Sequence, residues 1–140
     1  MVTTHSYEDK LATIAAARRA GLSLCVGGLF GMGETNEQIL ELALQLRAIQ
    51  PDAVPVNSLV PVPGTPFASL TDLNPSRCLK IVALLRFALP RQDILICGGR
   101  SRLPIDWQAQ LFAAGASGIM TGNYLTTAGF TLEDDLVMLR

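Results

Sequence analysis

Four times along this chain a short apolar run gives way to glycine or proline and then to a helical stripe. The runs lie near residues 22–28, 53–60, 93–98 and 116–120. Each is too short for a helix and is closed by turn-forming residues, so each reads as a strand. The spacing of about 30 residues is that of a β/α unit. The first run carries Cys25 into Gly27, Gly28, Gly31 and Gly33, and a helical pattern opens at Thr35. Chemistry in parallel β/α architectures gathers near the C-terminal ends of strands. Cys25, Asn57 and Arg100 are therefore the first candidates.

Local signals bound the helices. Ser6 with Asp9, Thr35 with Gln38 and Thr131 with Asp134 have the three-residue spacing of a capping box. Asn74-Pro75 reads as N-cap and first helical residue, and Pro104 opens a further helix. Pro51 ends the second helix near Ile49, because the residue before a proline avoids helical geometry. Apolar residues recur at helical spacing: Tyr7, Leu11, Ile14 and Ala15; Ile39, Leu42, Ala43 and Leu46; Cys78, Ile81, Val82, Leu85 and Leu89; and Trp107, Leu111 and Phe112. Pro55 argues mildly against a central strand, where every amide is needed. The prolines between Pro61 and Asn74 read as a stiff loop, and residues 1–5 as a frayed start.

A helix followed by four strand–helix units is half of a β/α barrel. It could equally be a small open sheet of the flavodoxin type. A half barrel leaves its outer strands unpaired, an aggregation hazard that predicts poor solubility alone. The expectation is one α/β domain over residues 1–140.

Charge and cysteines exclude several classes. Eleven basic residues face twelve acidic ones, with no basic stripe for nucleic acid. Charged residues make up only 16% of the chain, which suggests a surface partly meant to be covered. Cys25, Cys78 and Cys97 are odd in number and widely spaced, so a reducing cytoplasm is expected. No signal peptide opens the chain, and no apolar run is long enough to span a membrane.

Each candidate has two readings. Cys25 is a thiolate ligand to a soft metal or iron–sulfur cluster, or a small buried thiol. Arg100 meets an anion or carboxylate in a barrel mouth, or is a solvated loop arginine. Asn57 contacts a bound polar group or satisfies the backbone. Cys97 reads as core, and Glu34 and Thr35 as capping residues. The glycines match neither a dinucleotide loop nor a P-loop. His5 is the single histidine, so no histidine cage or triad can form within the chain.

Several motifs fall in one familiar order. They are Thr3 to Leu11, Cys25-Val26-Gly27-Gly28, Gly31-Met32-Gly33-Glu34-Thr35, Val54-Pro55-Val56-Asn57, Gly64-Thr65-Pro66, Gly98-Gly99-Arg100 and Gly122 to Gly129. Together they resemble the C-terminal half of the biotin synthase family, radical S-adenosylmethionine enzymes on a β/α barrel. The resemblance implies sulfur insertion into dethiobiotin by a homodimer, with a [4Fe–4S] cluster that cleaves S-adenosylmethionine and a [2Fe–2S] cluster that donates sulfur. It casts Cys25 and Arg100 as ligands of the second cluster and Asn57 as a ligand-contacting amide. The family's C-x-x-x-C-x-x-C loop and the other two cysteine ligands of the second cluster are absent, and Ser101 stands where glutamate is common. The chain is thus expected to be a fragment, a split subunit or a decayed copy. Alone it should be inactive, and it should work only with an N-terminal half supplied. A non-catalytic remnant, an interaction module or a flavodoxin-like binding domain are the alternatives.

Overall fold

The computed structural model describes residues 3–71, 73–124 and 127–140. Five α-helices and four strands alternate along it. Helix α1 (Tyr7–Arg19) is followed by β1 (Gly28–Phe30), α2 (Asn36–Ile49), β2 (Ala53–Ser58) and α3 (Pro75–Ala88). Then come β3 (Asp93–Ile96), a 3-10 turn (Arg100–Arg102), α4 (Ile105–Ala113), β4 (Gly118–Ile119) and α5 (Leu132–Met138). All three strand pairings are parallel, in the order β1-β2-β3-β4. A doubly wound sheet reverses its order at a switch point. This sheet never does, so it is an arc of a β/α barrel, and it is not closed.

Four of the five described helices begin where a side chain caps them, and α4 opens behind Pro104 without one. Ser6, Thr35 and Thr131 each close a capping box, with Asp9, Gln38 and Asp134 as the returning partners. Asn74 caps α3, with Pro75 just inside. Gln50 ends α2 in the left-handed region at φ 53°, the turn that delivers Pro51 into β2.

One layer of helices covers one face of the sheet. Ile39, Ala43 and Leu46 of α2, and Cys78, Ile81, Val82 and Leu85 of α3, pack on Phe30, Val54, Val56, Ile94 and Ile96. By strand alternation the opposite, concave face carries Cys25, Leu29, Pro55, Asn57, Leu95 and Cys97. Leu29 is exposed there. Helix α1 buries no residue at all, although Leu11 and Ile14 share a face as its spacing predicts.

The first strand differs from the sequence reading. Cys25 forms only an isolated bridge to Ala53, and regular pairing begins at Gly28 opposite Val56. The register is continuous, so the interruption falls opposite Pro55. Ala53 turns its amide and carbonyl toward this strand, donating to Leu24 O and accepting from Val26 N. Pro55, two residues on, faces the same way and has no N–H to give. Its missing bond breaks β1, while β2 keeps its pairing with β3 on the other side. A proline is thus tolerated in a central strand.

Candidate functional site

Cys25 lies at the entrance of the first strand, five residues before its end, and not at the C-terminal rim. Asp52 anchors this entrance. Its carboxylate accepts from Leu24 N at 2.6 Å and Ser23 Oγ at 3.1 Å, and these bonds hold it below the usual carboxylate range. Cys25 itself is exposed on the concave face. Gly27, two residues beyond it, leaves no room for a side chain: a Cβ there would stand 2.0 Å from the Pro55 carbonyl.

Asn57 is half-buried near the end of β2. Its Oδ1 accepts from Gly98 N at 2.9 Å, which ties β2 to the loop after β3. Gly99 follows at φ 80°, and a Cβ there would meet the Ser58 carbonyl at 2.1 Å. Only glycine lets the loop lie this close before it turns into Arg100.

Arg100 is 1% exposed and points into the helices. Its Nη1 lies 2.8 Å from Asp135 Oδ1, and its Nη2 donates to Asp135 Oδ2 at 2.8 Å. Nη1 also donates to Gln108 Oε1 at 2.6 Å, and Nη2 reaches Met120 O at 3.4 Å. The Phe130 ring stacks 4.9 Å from the guanidinium carbon. Only Nε lacks a partner among the described residues. Arg100 therefore meets a carboxylate, as burial requires. That carboxylate comes from α5, and no described contact joins Arg100 to Cys25 or Asn57.

Sequence reasoning missed Gln108 and Asp135, both buried. A polar residue within an apolar helical stripe is the available signal for Gln108. Asp135 sits beside the capping Asp134 and reads like first-turn acid. Cys97 is buried as expected, but it lies outside the core cluster under the helices. Its Sγ donates to Leu95 O at 3.5 Å, and Tyr124 Oη donates to its backbone carbonyl at 2.9 Å. Glu34 closes the glycine loop by accepting from Gly31 N and Met32 N, both at 2.8 Å, and Thr35 caps α2. Leu125 and Thr126 of the Gly122 to Gly129 motif lie outside the described residues.

Among the described residues no three His, Cys, Asp or Glu side chains gather to hold a metal. No described helix is long and apolar enough to cross a membrane. The concave face instead offers thiols, one amide and apolar side chains on an unclosed sheet.

Known proteins are similar over nearly the whole chain. A biotin synthase of Syntrophotalea carbinolica is 53% identical over 137 residues, covering 98% of this chain and 42% of its own length. That of Desulfatibacillum aliphaticivorans is 52% identical over 138 residues, covering 99% and 42%. That of Geobacter sulfurreducens is 50% identical over 137 residues, covering 98% and 42%. The chain thus spans well under half the length of these relatives. The Biotin and Thiamin Synthesis associated domain matches residues 55–140, from β2 through α5. On that match, the chain belongs to the family of Biotin and Thiamin Synthesis associated domains.

Proposed function

We propose that this chain is the C-terminal half of a biotin synthase-type barrel, residues 1–140 forming one unit, and that it serves biotin formation only with the preceding half. The observation that carries this is the unclosed sheet. Its concave face exposes Leu29 and Cys25, and its two outer strands each have one unpaired edge. Relatives more than twice as long supply the room for further strands. The whole enzyme would act on dethiobiotin and S-adenosylmethionine with [4Fe–4S] and [2Fe–2S] clusters, by resemblance to the biotin synthase family, and would work in the cytoplasm as a homodimer.

The residues fit that chemistry unevenly. Cys25 suits a cluster ligand, because its thiol is exposed on the face that would become the barrel interior. Asn57, held by Gly98, can present its remaining amide group to a bound polar molecule. Arg100 spends both terminal nitrogens on Asp135 and Gln108, so ligation through either requires that ion pair to open. Neither the thiolates of the first cluster nor a full ligand set for the second is in this sequence.

The test is anaerobic reconstitution with iron and sulfide, then an assay with dethiobiotin, S-adenosylmethionine and reductant. The expected result is no biotin from this chain alone and biotin when a polypeptide carrying the N-terminal half is added. Biotin from the isolated chain refutes the dependence. No biotin and no bound iron in either case points to a remnant.

A further inference from the structure

Helix α3 and the turn after it carry no acid. From Pro75 to Gln92 there are four cations, Arg77, Lys80, Arg86 and Arg91, and not one Asp or Glu. Arg86 turns inward and spends its guanidinium on the carbonyls of Leu89, Gln92 and Gly115 and on Ser117 Oγ. The other three stand along the seam where α3 packs on α2. A cleft of about 430 Å³ opens at the start of both helices, with Arg77 and Lys80 above Ile39, Ile81 and Leu84. A second, of about 320 Å³, lies at their ends between Arg47, Phe87 and Arg91. No described acid lines either cleft. Arg77 donates to Glu34 O and Asn36 Oδ1, which fixes its charge at the rim. Glu34 itself gives its carboxylate to the amides of Gly31 and Met32. By helical spacing Glu37 and Glu41 fall toward α1, where Glu41 lines a separate cleft with Tyr7.

Between the two clefts the surface is apolar. Leu40, Leu44 and Arg47 on α2, and Lys80, Leu84 and Phe87 on α3, each recur at 0, 4 and 7, the spacing of one helical face. Leu40 and Leu44 are half exposed, and the Phe87 ring is 87% exposed. A completing barrel half does not account for this surface. It would join at the free edges of β1 and β4, whereas α2 and α3 are flanked by α1 and α4 of this chain.

We propose that the α2–α3 seam is a docking groove for an acidic segment of another polypeptide. Phe87 is its aromatic anchor, and Arg47, Arg77, Lys80 and Arg91 are its cationic rim. Charge complementarity selects the occupant, because none of the four cations has an acid partner among the described residues. An exposed apolar patch rimmed by charge marks an interaction site. The clefts are sunk between two helices, so they receive side chains, which a lipid surface does not supply. Three helical turns give the groove a length of about 15 Å, enough for an amphipathic helix laid along it. The inference goes beyond the proposed function and does not rest on it.

The experiment pans a random-peptide display library on the full chain, with and without the added N-terminal half. The consensus peptide is then synthesised and titrated by fluorescence anisotropy. It should carry several Asp or Glu beside Leu, Phe or Trp, and bind equally with the half present. Phe87→Ala should weaken it by about tenfold or more, as loss of an aromatic anchor does. Arg47→Glu, Lys80→Glu and Arg91→Glu should each weaken it by about two- to fivefold and flatten its salt dependence. Lys10→Glu, on α1, should leave it unchanged. All five positions are exposed, and circular dichroism checks that each variant folds. A consensus without acidic bias overturns the proposal, as does no enriched peptide or undiminished binding in the folded Phe87 variant. Blocking by the N-terminal half overturns it too. Tighter binding of phosphatidylserine vesicles or single-stranded RNA, lost in the same variants, gives the groove to a membrane or nucleic acid instead. Self-association that Phe87→Ala abolishes gives it to a second copy.

Discussion

Arg100 has the most demanding environment in the molecule. A guanidinium 1% exposed is tolerable because Asp135 takes it bidentately, Gln108 accepts from Nη1 and the Phe130 ring lies against it. Removing one partner strands the other charge in a dry site. Asp135→Ala is expected to cost about 3–5 kcal/mol, read as a drop in the urea midpoint. An unchanged midpoint would show that the pair is dispensable. A second residue-scale test uses pH. Burial raises the Cys78 thiol above its ordinary value of 9.0, so the folded state favours the neutral form. The stability it contributes is complete below that value and is lost as pH rises toward the folded one. Denaturant midpoints should therefore fall in alkali, and Cys78→Ala should flatten that fall.

Among the elements, helices and strands obey different constraints. Each long helix is started by groups within three residues of one another. Thr35→Ala removes the α2 cap and should cost about 1 kcal/mol, measurable by thermal unfolding. The first strand depends on distant chain. Gly27→Ala forces a Cβ against the Pro55 carbonyl and should destabilise by about 1–3 kcal/mol or more. Asp52 holds the strand entrance with its carboxylate depressed by Leu24 N and Ser23 Oγ. Its contribution is present above the ordinary value of 3.8 and is lost as pH falls through the folded value. The protection factor of the Leu24 amide, its exchange rate measured against the intrinsic rate at each pH, should therefore fall in acid. Asp52→Asn should lower it already at neutral pH, and equal protection in both proteins would refute the anchor.

At the scale of the whole molecule, the described strands form an unclosed arc whose outer strands are each paired on one side. Edge strands invite pairing with other chains. Sedimentation should show concentration-dependent self-association, suppressed when the complementary barrel half is added. A monomer at all concentrations, indifferent to that half, would contradict barrel completion.

What the sequence determined by itself was local. Ser6–Asp9, Thr35–Gln38 and Thr131–Asp134 start their helices through bonds spanning three residues, as does Asn74, which accepts from Arg77 N ahead of Pro75, and no tertiary contact is needed to read them. The four strands and their parallel direction also followed, because intervening helices leave little choice of direction. Their unreversed order, which separates a barrel arc from a flavodoxin-type sheet, came from the structure. Tertiary structure alone decided the rest. Pro55 interrupts a strand 28 residues before it by withholding one amide, an effect visible only once the register is set. Arg100 finds its carboxylate 35 residues later, on a helix whose acidic first turn hides the one residue that turns inward. Cys97 reads as core from its apolar neighbours, and only the pleat of a paired strand sends it to the face opposite the helices. Contacts between distant segments depend on which faces meet, and a single sequence carries that information only after it has folded.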